Sequence, residues 1–332
     1  MLVYTAVVVI LIILLVVNTV HGLIDCDSVL ESNNKFTGQC NNKWSNLKSS
    51  ILPTQAQVGY SWIQYKINKD FSSSSDAQSA MDDSISPGVI GPNNKIYIVD
   101  DHHTLCALDY SGYDATVTIN IICDKRGTSL EEFWSEMEKK NFAFLLSHPI
   151  NEPNKQYINI NHTQLPQSFS FTSKYISFSD DPWRSMAGFS RKVTTASPPA
   201  PSCSSSSDKN CERCFYRGCE DGFQASGTGL PYFEFRWAYF MVEATYYNSN
   251  LWPSKSQFSD FYQTYTQLPP SHLGSIDTTK WQNAADKIVS LCRGESTGSY
   301  ILPQYFSSSN LPGYVSGYVP LEADPDCSAP VC

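Results

Sequence analysis

Residues 89–108, VIGPNNKIYIVDDHHTLCAL, constrain the fold of this chain most strongly. Val89-Ile90 and Ile96 to Val99 are apolar runs, and Gly91-Pro92-Asn93-Asn94 between them are turn formers, so a β-hairpin is predicted. The return strand runs into Asp100-Asp101-His102-His103, and TLCAL then reads as a buried helix with Cys106 as a small hydrophobe. Elsewhere DATVTINIIC alternates as a strand through Val117, Ile119 and Ile121. Val58, Trp62, Ile63 and Ile67 give one helical stripe, and Leu130, Phe133, Trp134 and Met137 another. Asp180 or Asp181 is placed to cap a helix whose first residue is Pro182. Two more helices are predicted in PYFEFRWAYFMVEATYY and NAADKIVSLC.

The turn at 100–103 is where titratable groups concentrate. If Asp101 caps a helix starting at His102, free N–H groups and the positive helix end favour a phosphate there. An imidazole could then donate to a phosphate oxygen or transfer a proton. Two aspartates repel that anion unless a divalent cation or a basic side chain intervenes. Adjacent histidines point about 100° apart on a helix, unlike the i, i+4 pair of a zinc helix. The plainer alternative is that Asp101 only caps and one histidine fills the core. Asp180-Asp181 is a second carboxylate pair, and equally an ordinary capping turn. Lys66, Glu234 and Arg236 read either as site groups or as solvated helix faces. Neither a P-loop nor an HExxH helix occurs.

Compartment is written in the first residues. MLVYTAVVVILIILLVVNTVHG is uncharged and apolar up to the small residues that a signal peptidase reads, so cleavage after Gly22 is expected. An uncleaved anchor is the alternative, although residues 2–17 are short for a bilayer span. Eleven cysteines, mostly in polar turn-rich surroundings, fit disulfides in an oxidising compartment; the odd count leaves one over, best assigned to Cys106. Cys203, Cys211, Cys214 and Cys219 have zinc-like spacing but read as disulfide partners on this route. Asn161-His162-Thr163 is a glycosylation sequon. The expected location is therefore outside the cell or in the endolysosomal lumen, with no membrane span after cleavage. A net charge of −9 speaks against simple electrostatic nucleic-acid binding, though it leaves room for a local basic groove. The expected plan is a signal at 1–22 and a disulfide-tied extension at 23–50 around Cys26 and Cys40. A main domain at 51–250 with a Cys-rich insertion at 197–229 follows, then a helical and extended region at 251–332.

In order along the chain, LPTQAQVGY with Lys66, VIGPNNKIYIVDDHHTLCAL, FW-SEM, DDPWRSMAGFSR, PYFEFRWAYF and a weaker LPGY resemble the ParB-like nuclease family of the ParB/sulfiredoxin superfamily. The resemblance implies an α+β domain, a small sheet with packed helices, in which the strand-to-helix turn is a nucleotide or phosphate pocket. It implies that Asp100, His102 and His103 form the catalytic Asp-x-His-His. Lys66, Gln55, Arg184, Ser185 and Arg191 are the implied phosphate-binding residues, with Gly59, Asp180, Asp181, Glu234 and Trp237 supporting. The implied ligand is a phosphate-containing molecule or nucleic acid; the oligomeric state is left undetermined. Two departures matter: Thr104 stands where many relatives have an arginine, and Asp101 where many have a small or basic residue. Scarcity of nucleoside triphosphates outside cells turns the expectation toward hydrolysis of a phosphodiester. A binding module without turnover and a structural glycoprotein are the alternatives.

Overall fold

The computed structural model describes residues 24–140, 142–149, 157–190 and 277–293. It begins with β1 (Ile24–Asp25), α1 (Cys26–Glu31), β2 (Gly38–Lys43) and α2 (Trp44–Leu47). Next come β3 (Ile51–Pro53), β4 (Gln57–Val58), α3 (Tyr60–Asp70) and α4 (Ser74–Asp82). The hairpin β5 (Ile85–Ile90) and β6 (Ile96–Ile98) leads into α5 (His102–Ser111), β7 (Thr116–Asp124) and α6 (Leu130–Lys139). Then follow β8 (Leu146–Ser147), β9 (Ile158–Asn159), a 3-10 turn at His162–Gln164, β10 (Ser179–Asp180), α7 (Pro182–Ser190) and, further on, α8 (Thr278–Arg293).

Six strands form one mixed sheet in the order β1-β2-β7-β5-β6-β3. β5 and β6 pair antiparallel as the turn residues predict, and β3 joins β6 in parallel as the edge strand. Side chains alternate across β6 and so serve two cores. Ile96 and Ile98 belong to a cluster with Ile63 of α3 and Leu105, Cys106 and Leu108 of α5. Tyr97 and Val99 belong to the opposite cluster, with Phe133, Trp134 and Met137 of α6. Helices therefore cover both faces, and the α+β expectation holds. Each fully buried Leu, Ile or Phe contributes roughly 1.5–3 kcal/mol, so these two clusters hold the sheet between its helices.

Residues 24–43 are built into this sheet: β2 pairs with β7, and the Cys26–Cys40 disulfide, Cα to Cα 5.0 Å, ties α1 to β2. Arg126 reinforces that corner by donating to the carbonyls of Val29, Ser32 and Asn34 while its guanidinium pairs with Asp124. Cys106 and Cys123 are buried free thiols, and burial, with Asp109 beside it, pushes the Cys106 thiol well up.

Two helical stripes need correction. Val58 lies in β4, paired with β10, and the helix starts only after Gly59. Leu130 is 51% exposed, because the first turn of α6 stands at the rim of a cavity, whereas Phe133, Trp134 and Met137 are buried as expected. The signal, the Cys-rich insertion, the 231–247 helix and LPGY lie outside the described residues, and NAADKIVSLC falls within α8. Among the described residues no helix is long and apolar enough to cross a membrane.

Candidate functional site

The hairpin delivers the chain to Asp100 and Asp101, and α5 starts at His102. Asp101 sits in the left-handed region at φ 70°, ψ 18°, which aspartate tolerates better than most residues. Its side chain does not cap the helix, contrary to expectation. The carboxylate instead turns back and accepts from the Ser84 and Ser86 hydroxyls at 2.5 and 3.0 Å. Those two bonds hold the strained backbone, and they are made because β5 runs beside the turn. The Asp101 amide donates to Asp100 Oδ1 at 2.6 Å.

His102 and His103 are 2% and 5% exposed, so neither ring stands in solvent. The Thr54 amide donates to His102 Nε2 at 3.2 Å, and the Gly59 amide donates to His103 Nε2 at 3.0 Å. A ring nitrogen that accepts a hydrogen bond carries no proton, so both imidazoles are neutral here with the proton on Nδ1. Their divergence on the helix is used: each ring holds one end of the segment 54–59. Thr54 is fixed further by its hydroxyl, which donates to the Ile98 carbonyl at 2.6 Å. His102 also stands 5.9 Å from the Phe169 ring at 25°, within the core.

The second acidic element closes on the same segment from the other side. β10 pairs in parallel with β4, Ser179 opposite Gln57 and Asp180 opposite Val58. Asp180 Oδ1 accepts from the Tyr60 amide at 2.8 Å, at the start of α3. Asp181 caps α7 by accepting from the Trp183 amide at 3.0 Å, and its other oxygen accepts from the Tyr157 hydroxyl at 2.5 Å. Arg184, 1% exposed, donates to the Gln57 carbonyl and, at 3.2 Å, to Gln55 Oε1. Ser185 Oγ accepts from the Trp62 amide at 3.3 Å. Gly59 is required by this contact, because a Cβ there would lie 2.5 Å from the Ser185 nitrogen. Gln57 completes the enclosure: its amide group exchanges hydrogen bonds with the His148 backbone at 2.5 and 2.8 Å. Tyr60 donates its hydroxyl to the Phe178 carbonyl at 2.8 Å; burial first, then Asp180 and Cys106, raise its pKa and keep the phenol protonated.

His102, His103, Asp180, Asp181, Arg184 and Ser185 are thus gathered around the segment that contains Gln55 and Gly59, and Asp100 stands beside it at the turn, bonded to the Asp101 amide. Lys66 is not: it is half-buried on α3, and among the described residues no hydrogen bond or ion pair joins it to 54–59. Arg191, Glu234 and Trp237 lie outside the described residues. Asn161 is exposed, its side chain accepting from the Thr163 amide at 3.0 Å. Among the described residues no group of three or more His, Cys, Asp or Glu is placed to hold a metal ion, and the carboxylates of Asp101, Asp180 and Asp181 are engaged by hydroxyls and amides. Thr54, Gln57, His148 and Tyr157 belong to this network and escape sequence reading, because each acts across 24 to 91 positions. Thr54 and Gln57 lie inside the stretch LPTQAQVGY singled out above, and His148 and Tyr157 lie in no such stretch.

Residues 47–200 match the family model described as "Putative ParB-like nuclease". Among solved structures, four chains match, one of them the crystal structure of protein Atu1540 from Agrobacterium tumefaciens. That likeness is 19% identical, covers 68% of this chain and 87% of the other, and has a TM-score of 0.41. No curated protein matches the chain.

Proposed function

We propose that the region matching the ParB-like nuclease family, residues 47–200, hydrolyses phosphoesters, with nucleic acid as the substrate class. The observation that carries this reading is convergence. The histidine pair of the strand-to-helix turn and Arg184 with Ser185 of the second element close on the same segment, 54–59. Two elements distant in sequence are held together there by buried polar groups, which satisfied only in one arrangement fix that arrangement.

In the chemistry proposed, His102 or His103 exchanges the proton, and Asp100 sets the ring or a divalent cation. Arg184 carries positive charge toward the phosphate. The geometry adds a condition. Either imidazole can take a proton at Nε2 only when its backbone hydrogen bond opens, so turnover requires the 54–59 segment to shift. Arg184 is likewise committed to Gln55 and Gln57 in this arrangement. These same engagements favour the second reading, a phosphate-binding module without turnover.

His102→Gln and His103→Gln separate the two. Glutamine keeps an acceptor near the Nε2 position but removes the titrating ring. Cleavage of a labelled single-stranded oligonucleotide by the wild type, falling about 100-fold or more in folded variants, supports proton transfer by the pair. Undiminished cleavage in both variants overturns it. Saturable nucleotide binding with no product assigns the module reading.

The secretory route belongs to the same proposal, with cleavage after Gly22 and a glycan on Asn161. The Cys26–Cys40 disulfide and the exposure of Asn161 support it. Intact-mass analysis of protein from a eukaryotic secretory host tests it, and a product retaining residues 1–22 contradicts it.

A further inference from the structure

A cavity of about 260 Å³ lies beside the edge strand β3, outside the network just described. Leu52 and Pro53 of β3, Tyr97 of β6 and Trp134 of α6 form its walls. Asn93, His162 and Gln167 supply polar groups at its rim, and no lining residue is an acid, lysine or arginine. Trp134 is 6% exposed, and His162 stacks on it with centroids 4.9 Å apart and planes at 12°. His162 is the half-exposed outer layer of that stack. A flat heteroaromatic ring laid on His162 would add a third layer, with amide groups beside it to meet its edge.

We propose that this cavity holds a nucleobase, and so supplies the base-recognition subsite of the phosphoester-cleaving domain; the inference rests on that reading for its biological substrate. An uncharged base fits an uncharged lining of aromatic faces and amides, whereas a bare phosphate does not. Position agrees as well. Pro53 lines the cavity, and the next residue, Thr54, is the one held by His102. The edge strand therefore carries the cavity at one end and the proposed catalytic segment immediately after it. Base stacking also answers the charge problem, since a chain at −9 gains little from backbone attraction and must take affinity from the bases.

Calorimetry on the full chain tests this with adenosine 5′-monophosphate, ribose 5-phosphate and a short single-stranded oligonucleotide. The expected result is saturable binding of the mononucleotide, with the base-free sugar phosphate about tenfold weaker or more. His162→Ala should remove that preference, and because His162 lies at the rim the variant should keep its fold. Gln167→Ala, at an exposed position, should weaken the mononucleotide less. The oligonucleotide binding in parallel with the mononucleotide identifies nucleic acid as the source; mononucleotide binding alone identifies free nucleotides. Equal affinities for mononucleotide and sugar phosphate, no binding of either, or an unchanged preference in His162→Ala overturns the proposal. So does a simple hexose that competes for the cavity. Base preference without any cleavage leaves the subsite standing and removes the hydrolase reading.

Discussion

Asp100-Asp101 and Asp180-Asp181 look alike in the sequence, each an acidic pair at the start of a helix, and they are built in opposite ways. At the second pair the side chains do what short acidic residues ordinarily do. Asp181 caps α7 and takes the Tyr157 hydroxyl, while Asp180 accepts from the first amide of α3. At the first pair the backbone is twisted to φ 70°, no side chain caps α5, and the Asp101 carboxylate anchors to two serines of the β5 region. The difference teaches that the second pair stabilises and the first shapes. A turn that leaves its helix start uncapped by side chains can aim His102 and His103 at the 54–59 segment, which the second pair presses from behind.

The largest effect should come from Asp181→Ala. It removes a helix cap and the bond the Asp181 carboxylate accepts from the buried Tyr157 hydroxyl, so urea unfolding should show a loss of about 3 kcal/mol. Gly59→Ala comes next. The added methyl meets the Ser185 backbone and must prise the two elements apart, at about 1–3 kcal/mol with cleavage or ligand binding reduced alongside.

An aspartate away from both turns calibrates the acid side. Burial pushes the Asp124 carboxyl up, but hydrogen bonds from Arg126 and the Phe36 amide outweigh it and hold the group below the usual range. A carboxyl depressed in the folded state binds fewer protons than in the unfolded one. Its contribution is complete above about pH 4 and is lost as pH falls toward the folded pKa. Asp124→Asn should therefore flatten the acid limb of stability measured by thermal melts from neutral pH down to about pH 2, and an unchanged limb contradicts the assignment.

The smallest effect belongs to Asp101→Gly. Glycine relieves the left-handed backbone and so offsets part of the loss of two hydroxyl bonds, and stability should fall by less than in Asp181→Ala. A loss as large as that of Asp181→Ala would erase the contrast between the pairs.

Local features were legible because local chemistry decides them. Gly91 to Asn94 turn the hairpin, Phe133, Trp134 and Met137 line the buried face of α6, and the apolar spacing of TLCAL buries Cys106. A cap from Asp180 or Asp181 was equally readable, with Pro182 after it, and Asp181 supplies it. What escaped depends on partners far along the chain. Val58 is drawn from a helical pattern into β4 by pairing with β10. Asp101 is diverted from capping by Ser84 and Ser86, which β5 brings alongside. His148 and Tyr157 carry no local signal, since their roles arise only when Gln57 and Asp181 arrive next to them. The motifs of the candidate site could be found in the sequence, but not that they meet through the 54–59 backbone.

That meeting can be measured directly. Long-range proton–nitrogen correlation spectra of the folded chain at neutral pH report the tautomer of each imidazole. His102 and His103 should both appear neutral with the proton on Nδ1, because each Nε2 accepts a backbone amide. A proton on Nε2 in either ring, or an imidazolium, would contradict the clamp on which the account rests.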